Sequence, residues 1–182
     1  AETDSGRVQQ CLDVLCGYLR FPWPQLQESD GHPDNRAELE VRRTILRLIG
    51  EHLRPADLAA LGNPTGKPHP SIYRKPGLAS WSALSFDFTH ARLPRFDWTF
   101  RLLKGELDFT GSIFTEPARF SWAQFAQHVH FDGSTFEDEA QFGSATFTDA
   151  GFGRCQFNGN ASFTQARFAG QAWFEKAKRS EE

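Results

Sequence analysis

Large apolar residues recur every five or six residues along the second half of the chain, with mostly polar residues between them. Two residues before each of them, from Phe114 onward, eleven of the twelve side chains are small. An α-helix would repeat every 3.6 residues and a flat strand every two, so neither explains this period. Short sides that each turn the same large side chain inward predict a chain that winds as a solenoid. The inward positions are Phe88, Leu93, Trp98, Leu103, Phe109, Phe114, Phe120, Phe125, Phe131, Phe136, Phe142, Phe147, Phe152, Phe157, Phe163, Phe168 and Phe174.

The spacing between successive inward residues is five at most positions and six at others, and the positions with six indicate how many sides one coil has. With four sides, the extra residues fall at the same two opposite corners of successive coils, starting with the step from Leu103 to Phe109. The predicted fold class is therefore mainly β, a quadrilateral β-helix of just over four coils. We expect the first coil to be irregular, since Phe86 and Phe96 take small positions in it. Arg101 takes another, and we expect it not to point inward unpaired because burying a lone charge is costly.

The first third of the chain has helical periodicity instead. Residues 6–20 carry an apolar stripe with Ser5 as the expected N-cap, and residues 35–53 carry a second stripe with Asp34 as the cap. A short third helix is predicted over residues 55–61. Whether the helices cap the coil end or pack on one side is left open. The predicted organisation is an α-helical region with two main helices, a Pro/Gly-rich linker, the β-helix and a charged C-terminal tail, at residues 1–61, 62–85, 86–175 and 176–182.

Composition narrows the classes of function. The 182 residues carry a net charge of −3, which lacks the basic surplus of a nucleic-acid-binding protein. No apolar run approaches the ~18 residues of a membrane span. Three Cys do not make a disulfide framework, which indicates a reducing compartment. We therefore expect a cytoplasmic protein that makes no direct contact with nucleic acid.

The repeating unit resembles the motif of the pentapeptide-repeat family, A-(D/N)-L/F-X-X. The resemblance implies a right-handed quadrilateral β-helix, in which the central Phe side chains stack along the axis and the small residues fill the corners. It brings no enzymatic activity with it. The segments that match the motif as they stand are A-R-F-S-W (118–122), A-Q-F-G-S (140–144), A-T-F-T-D (145–149) and A-R-F-A-G (166–170).

The helical half shows a resemblance of its own, to the region before the repeats in uncharacterised actinobacterial pentapeptide-repeat proteins. Many of those proteins carry further sequence upstream, often including membrane helices. Since this chain begins without an initiator Met, one interpretation is a processed or truncated form that was tethered to a membrane. The stretches concerned are R-V-Q-Q-C-L-D-V-L-C-G-Y-L-R (7–20), E-V-R-R-T-I-L-R-L-I-G-E-H-L-R-P (40–55) and S-W-S-A-L-S-F-D-F-T (80–89).

Candidate chemistry is sparse. The sequence has no nucleophile elbow, P-loop or zincin motif, so we expect neither an enzyme nor a cofactor. A rod filled with Phe also leaves no interior cavity for a substrate. His128 and His130 lie on one predicted strand, but two His need further ligands to hold a metal. We expect both to face solvent without a metal.

Aromatic side chains on the outside are candidates for binding a partner. Phe100 and Trp122 each follow an inward position by two residues, on the same predicted side of consecutive coils, and should be neighbours. They are either covered by the helices or serve as an anchor for a protein partner. Trp173 is predicted to point outward beside Phe174, where the tail or a second subunit could cover it.

An acidic excess allows a different function. Residues 105–175 hold nine acidic and three basic residues, and the densest patch is Glu137, Asp138 and Glu139. Some members of the pentapeptide-repeat family resemble duplex DNA in shape and charge and bind DNA gyrase. The predicted function is a non-catalytic protein-protein interaction scaffold with an unidentified partner. The alternatives kept open are a DNA mimic that binds gyrase or topoisomerase, for protection or resistance, and a homodimer.

Overall fold

The computed structural model describes residues 2–22, 33–56 and 80–179. Two helices come first, α1 (Glu2–Arg20) and α2 (Pro33–His52). They are followed by a short strand, β1 (Arg54–Pro55). The remaining 18 strands, β2 to β19, lie between Phe86 and Arg179.

Both helices begin earlier than predicted. Ser5 and Asp34 lie inside the first turns of α1 and α2, so neither is an N-cap. Pro33 begins α2 because its fixed φ and missing N–H suit the first helical position.

Strands β2 to β19 form a four-sided β-helix, and each side is a sheet that takes one strand from each coil. Side 1 contains β2 (Phe86–Asp87), β6 (Leu107–Asp108), β10 (Val129–His130), β14 (Ala150–Gly151) and β18 (Ala172–Trp173). Side 2 contains β3 (Arg92–Leu93), β7 (Ile113–Phe114), β11 (Thr135–Phe136), β15 (Gln156–Phe157) and β19 (Lys178–Arg179). Side 3 contains β4 (Phe96–Asp97), β8 (Ala118–Arg119), β12 (Ala140–Gln141) and β16 (Ala161–Ser162). Side 4 contains β5 (Arg101–Leu103), β9 (Gln124–Phe125), β13 (Thr146–Phe147) and β17 (Arg167–Phe168), with β1 at its edge.

Strands of consecutive coils pair in parallel, and the register repeats at every coil. Phe136 pairs with Phe114 in the coil before and with Phe157 in the coil after, so inward residues stay in line. The six-residue steps follow sides 2 and 4, while tight corners follow sides 1 and 3. The extra residues thus lie at opposite corners. The predicted four-sided β-helix is confirmed.

The inward rings form columns along the axis. In the column of side 1, from Phe88 to Phe174, neighbouring ring centroids are 4.9–5.1 Å apart and the rings are within 13° of parallel. Rings from opposite sides meet edge to face, as Phe131 of side 1 and Phe142 of side 3 do at 5.6 Å and 78°. Both arrangements are the ones that aromatic pairs prefer. The columns bury Phe side chains that each contribute roughly 1.5–3 kcal/mol when fully removed from water.

Three of the small inward residues also link the coils by hydrogen bonds. The Ser112 hydroxyl donates to the Phe88 carbonyl at 2.7 Å, and the Ser134 hydroxyl donates to the Phe109 carbonyl at 2.6 Å. The Cys155 thiol repeats this contact one coil later. All three side chains are fully buried. A small donor in this position therefore fills the corner and also satisfies a backbone carbonyl.

The helices cover the N-terminal end of the β-helix, which answers the question left open by the sequence. Helix α1 contacts β2 and β3, and α2 contacts β4, all strands of the first coil. Leu12 and Leu19 of α1 and Ile49 and Leu53 at the end of α2 are buried in one continuous cluster with the first aromatic rings. The helical half therefore supplies the apolar surface that closes this end of the ring columns.

Arg42, which the sequence did not single out, joins the two helices to the first coil. It is 1% exposed. Its guanidinium donates to the carbonyls of Leu19 and Phe21 at 2.8 and 3.0 Å, and to that of Arg92 at 3.5 Å. Its Nε donates to the Glu38 carboxylate at 2.7 Å. A buried charge is tolerated here because each of these contacts replaces lost hydration.

The segment after α2 differs from the prediction. Pro55 lies in β1, which pairs antiparallel with β5, and not at the start of a third helix. The rest of that predicted helix, residues 57–61, and most of the predicted linker, residues 62–79, lie outside the described residues.

Arg101 does not point into the coil axis, as expected, but part of its guanidinium is without an acceptor in the described part of the chain. Its Nε and Nη1 are buried, and no described residue accepts a hydrogen bond from them. Because the first coil has helices next to it and no preceding coil, this side chain reaches a cleft beside α2 and not the coil axis.

The C-terminal end of the coil is more exposed than the N-terminal end. Lys178–Arg179 form β19, inside the segment that the sequence predicts to be a charged tail, and Arg179 pairs with Phe157 where earlier coils place a Phe. Phe163 and Phe168 are only partly buried. Among the described residues, no helix is long and apolar enough to cross a membrane.

Candidate interaction surfaces

The aromatic pair predicted from the sequence lies on the outside, at the corner after side 3. Phe100 and Trp122 have ring centroids 6.1 Å apart and planes 18° from parallel, and both are half-buried. Their φ angles are +59° and +60°, a left-handed conformation that is unfavourable for residues with a Cβ. Gly111 and Gly133 occupy the equivalent positions after side 1. The structure thus brings the two aromatic residues together, and their binding role stays a prediction.

The second aromatic surface is the C-terminal end of the coil. Trp173 and Phe174 are both 42% exposed, in contrast to the buried rings of the preceding coils. The inner face of Phe174 stacks on Phe152 at 4.9 Å. The sequence located both residues, but it did not show that the face of the ring column would be open here.

The Trp173 ring stacks with the rings of two histidines on side 1. The His128 ring lies 5.4 Å from the Trp173 ring and 3.9 Å from the His130 ring, all nearly parallel. Gly151 lies between His130 and Trp173 in the sheet and leaves room for this stack. Burial, followed by the neighbouring His130, lowers the pKa of His128. His128 therefore favours its neutral form near neutral pH.

The two histidines are not arranged as metal ligands. Their rings are stacked, so their nitrogen lone pairs do not point at a common centre. The Asp132 carboxylate lies 3.6 Å from Nδ1 of His130 and accepts a hydrogen bond from the Gly153 N–H. In the part of the chain that the structure describes, no group of three or more His, Cys, Asp or Glu side chains is placed to hold a metal ion.

The acidic patch is at the corner after side 2, and part of its charge is neutralised. Glu137 and Asp138 are exposed, and Glu139 is half-buried. Glu137 lies 3.7 Å from the guanidinium of Arg92. The acidic residue at the same corner one coil earlier, Glu116, pairs with a helix arginine. The row of acidic residues is therefore interrupted by cations from the cap and the first coil.

Cations at the C-terminal end are a feature that the sequence analysis overlooked. Lys176, Lys178 and Arg179 are exposed next to Trp173 and Phe174. Arg167 on β17 is exposed as well. The signal in the sequence is a short basic run, which predicts a charged tail, whereas Lys178 and Arg179 form the last strand of side 2.

Two of the cysteines are unsuited to nucleophilic chemistry. Burial raises the pKa of the Cys16 thiol to about 12 and that of the Cys155 thiol to about 12. Both are therefore protonated thiols at neutral pH, and the thiolate is the reactive form. Cys11 is an exposed free thiol on α1.

The repeating geometry identifies the architecture. The family model for pentapeptide repeats, described as nine copies, matches residues 103–146 and 142–178. Residues 103–178 of the four-sided β-helix thus match the pentapeptide-repeat model. No curated protein and no solved structure matches the chain. Pentapeptide-repeat β-helices are typically non-enzymatic and mediate protein interactions.

Proposed function

We propose that the protein is a non-catalytic scaffold that binds another protein at the C-terminal end of its pentapeptide-repeat β-helix. The observation that supports this proposal most directly is the 42% exposure of both Trp173 and Phe174. Aromatic side chains on a rigid body are the residues that most often dominate protein interfaces. In this proposal, α1 and α2 close one end of the coil, and strands β16 to β19 carry the binding surface at the other.

The backbone of the last strands also supports a binding surface at the C-terminal end of the coil. Strands β16, β17, β18 and β19 are the last strands of their sheets, so each has one edge with no neighbouring strand among the described residues. Such edges present unpaired N–H and C=O groups that can pair with an added strand. A partner that supplies an extended segment would satisfy these groups and cover the aromatic rings in one step.

Charge indicates the chemistry of the partner. Lys176, Lys178, Arg179 and Arg167 are exposed at this end of the coil. They outnumber the carboxylates of Glu175 and Asp132, which lie beside Trp173. An acidic partner would complement this rim. A second copy of the chain would bring like charges together, so the homodimer remains an alternative that we favour less.

The first prediction concerns Phe174→Asp. This change removes the apolar contact and places a negative charge against an acidic partner, so we expect capture of the partner from an extract of the source organism to be lost. Phe21→Asp is the matched control, since Phe21 is 71% exposed but lies in the helical half. The measurement is affinity capture by the wild-type chain and both variants, with sedimentation velocity on the same samples.

Three outcomes are informative. Loss of the captured protein with Phe174→Asp alone supports the scaffold. A wild-type dimer that only Phe174→Asp dissociates assigns the same surface to a second copy. The proposal fails if the wild-type chain neither captures a protein nor self-associates, or if both variants behave like the wild type.

A gyrase-binding DNA mimic is the alternative, and the acidic excess of residues 105–175 is the observation that favours it. The ion pairs of Glu116 and Glu137 with arginines weaken it, because a mimic of DNA needs a continuous acidic row. We therefore expect micromolar protein to leave the supercoiling activity of purified gyrase unchanged. Inhibition that disappears when Glu137, Asp138 and Glu139 are changed to Gln, Asn and Gln would reverse this choice.

The compartment and the source also belong to the proposal. Free thiols at all three cysteines fit a reducing compartment, and on that ground we propose a cytoplasmic protein. The likeness of the helical half to actinobacterial proteins stays a prediction from the sequence.

A further inference from the structure

A cleft lined by arginines lies between α2 and the first coil. Its volume is about 430 Å³, which is within the range of small-molecule sites. Arg43 and Arg47 reach it from α2, and Arg95 and Arg101 reach it from the coil. The cleft is at the opposite end of the molecule from the surface of Trp173, so it is independent of the proposed scaffold function.

Two of the four arginines are already paired. Arg43 donates to the Glu40 and Glu116 carboxylates at 2.8 and 2.6 Å, and Arg47 donates to Glu51 at 2.6 Å. For Arg43, burial acts to lower the pKa, but the hydrogen bonds that it donates to Glu116 and Glu40 outweigh this effect and raise the pKa. Glu40 and Glu51 of α2 are thus already paired with Arg43 and Arg47.

The other two arginines of the cleft lack such partners among the described residues. Neither Arg95 nor Arg101 forms an ion pair with a carboxylate of the described residues. The nearest acidic residue on the coil, Asp97, accepts a hydrogen bond from the Thr99 N–H at 3.0 Å. Burial lowers the pKa of Arg101, and the more distant charges of Asp97 and Glu51 offset this only in part.

The unsatisfied donors define what the cleft would accept. Nε and Nη1 of Arg101 are buried and find no acceptor among the described residues, and Nε of Arg43 is in the same state. The two Nη groups of one guanidinium, of which Nη1 of Arg101 is unsatisfied, match the two oxygens of a phosphate or carboxylate. A buried donor without an acceptor destabilises the folded state, and a bound oxyanion would remove this penalty.

We propose that this cleft binds the phosphate or carboxylate group of a small molecule, with Arg101 as the principal contact and Arg95 as the second. Thr44, Leu46 and Gly50 of α2 also line the cleft and would contact the remainder of the ligand. The other lining residues are Thr99 and three acidic residues, Glu40, Glu51 and Asp97, so the four arginines leave a surplus of one positive charge.

The test uses the full 182-residue chain and compares sodium phosphate with sodium chloride at matched ionic strength. Phosphate should raise the Tm of the wild type, since a ligand that binds only the folded state stabilises it. In Arg101→Met the rise should disappear and the affinity for phosphate measured by calorimetry should fall by about tenfold or more. Its Tm in chloride should equal or exceed that of the wild type, because an uncompensated buried charge is removed.

Arg119→Met is the matched control. Arg119 lies on β8, in line with Asp97 but outside the cleft, so the rise in Tm with phosphate should persist in this variant. Arg95→Met is a second variant that leaves the buried residues unchanged, and it should weaken phosphate binding severalfold. It keeps the proposal testable if Arg101→Met does not fold.

The outcomes distinguish a phosphorylated ligand from a carboxylic acid. Binding of phosphate but not acetate indicates a phosphorylated ligand, and comparable binding of acetate indicates a carboxylic acid. The proposal is overturned if phosphate and acetate both fail to raise the Tm of the wild type above its value in chloride. It is also overturned if the rise is the same in Arg101→Met, or in Arg95→Met where Arg101→Met does not fold.

Discussion

Phe131→Ala is expected to lower the free energy of unfolding by about 3–5 kcal/mol, the usual cost of emptying a buried Phe site. The Phe131 ring is stacked on both faces, 4.9 Å from Phe109 and 5.0 Å from Phe152, and is fully buried. The rings on either side are held by their own strands, so the cavity cannot collapse easily. Guanidinium chloride unfolding followed by circular dichroism measures the change.

Phe174→Ala is the matched control for this prediction. Phe174 ends the same ring column, stacks on Phe152 alone and is 42% exposed. Its loss should therefore cost less than half as much as that of Phe131. Equal losses for the two variants would contradict the view that stacking on both faces stabilises the coil.

Arg42→Met is expected to cost about 3–5 kcal/mol, because breaking a buried ionic contact on one side leaves its partners unsatisfied. The change would strip the carbonyls of Leu19 and Phe21 and the carboxylate of Glu38 of their donor. Met keeps much of the length and the apolar stem of Arg, so the variant creates little cavity. The decrease in the free energy of unfolding would therefore come mainly from the lost hydrogen bonds. The loss should be visible as a lower midpoint in the same unfolding experiment.

Arg47→Met is the control for Arg42. Arg47 lies on the same helix and pairs with Glu51 at i, i+4, but its side chain is 56% exposed. Exposed pairs of this kind contribute about 0.3–0.5 kcal/mol. If Arg42→Met were no more costly than Arg47→Met, Arg42 would not be what joins the cap to the coil.

The β-helix was predictable because one local pattern repeats. Each inward Phe and each small residue before it occupies the same kind of environment in every coil. A single atypical residue therefore does not obscure the period. Features that occur once were missed. Arg42, for example, looks like any polar residue of a helix, because its partners Leu19 and Phe21 lie in another segment of the chain.

The binding surfaces were predicted in part, for a related reason. The sequence placed Phe100 beside Trp122, since the repeat fixes which side and which coil each residue belongs to. It did not predict the exposure of the last rings, which depends on whether another element covers them. Nor did it predict the cleft at Arg101, because the partners of an arginine come from segments far away in the chain.

The sequence by itself determined the period, the four sides and the identity of the core, since backbone pairing between coils aligns equivalent residues. Only the tertiary structure decided that the helices close the N-terminal end while Trp173 and Phe174 stay exposed at the other. It also decided which arginines are paired and which are not. These properties depend on contacts between segments that share no repeat, and a one-dimensional pattern holds no information about such contacts.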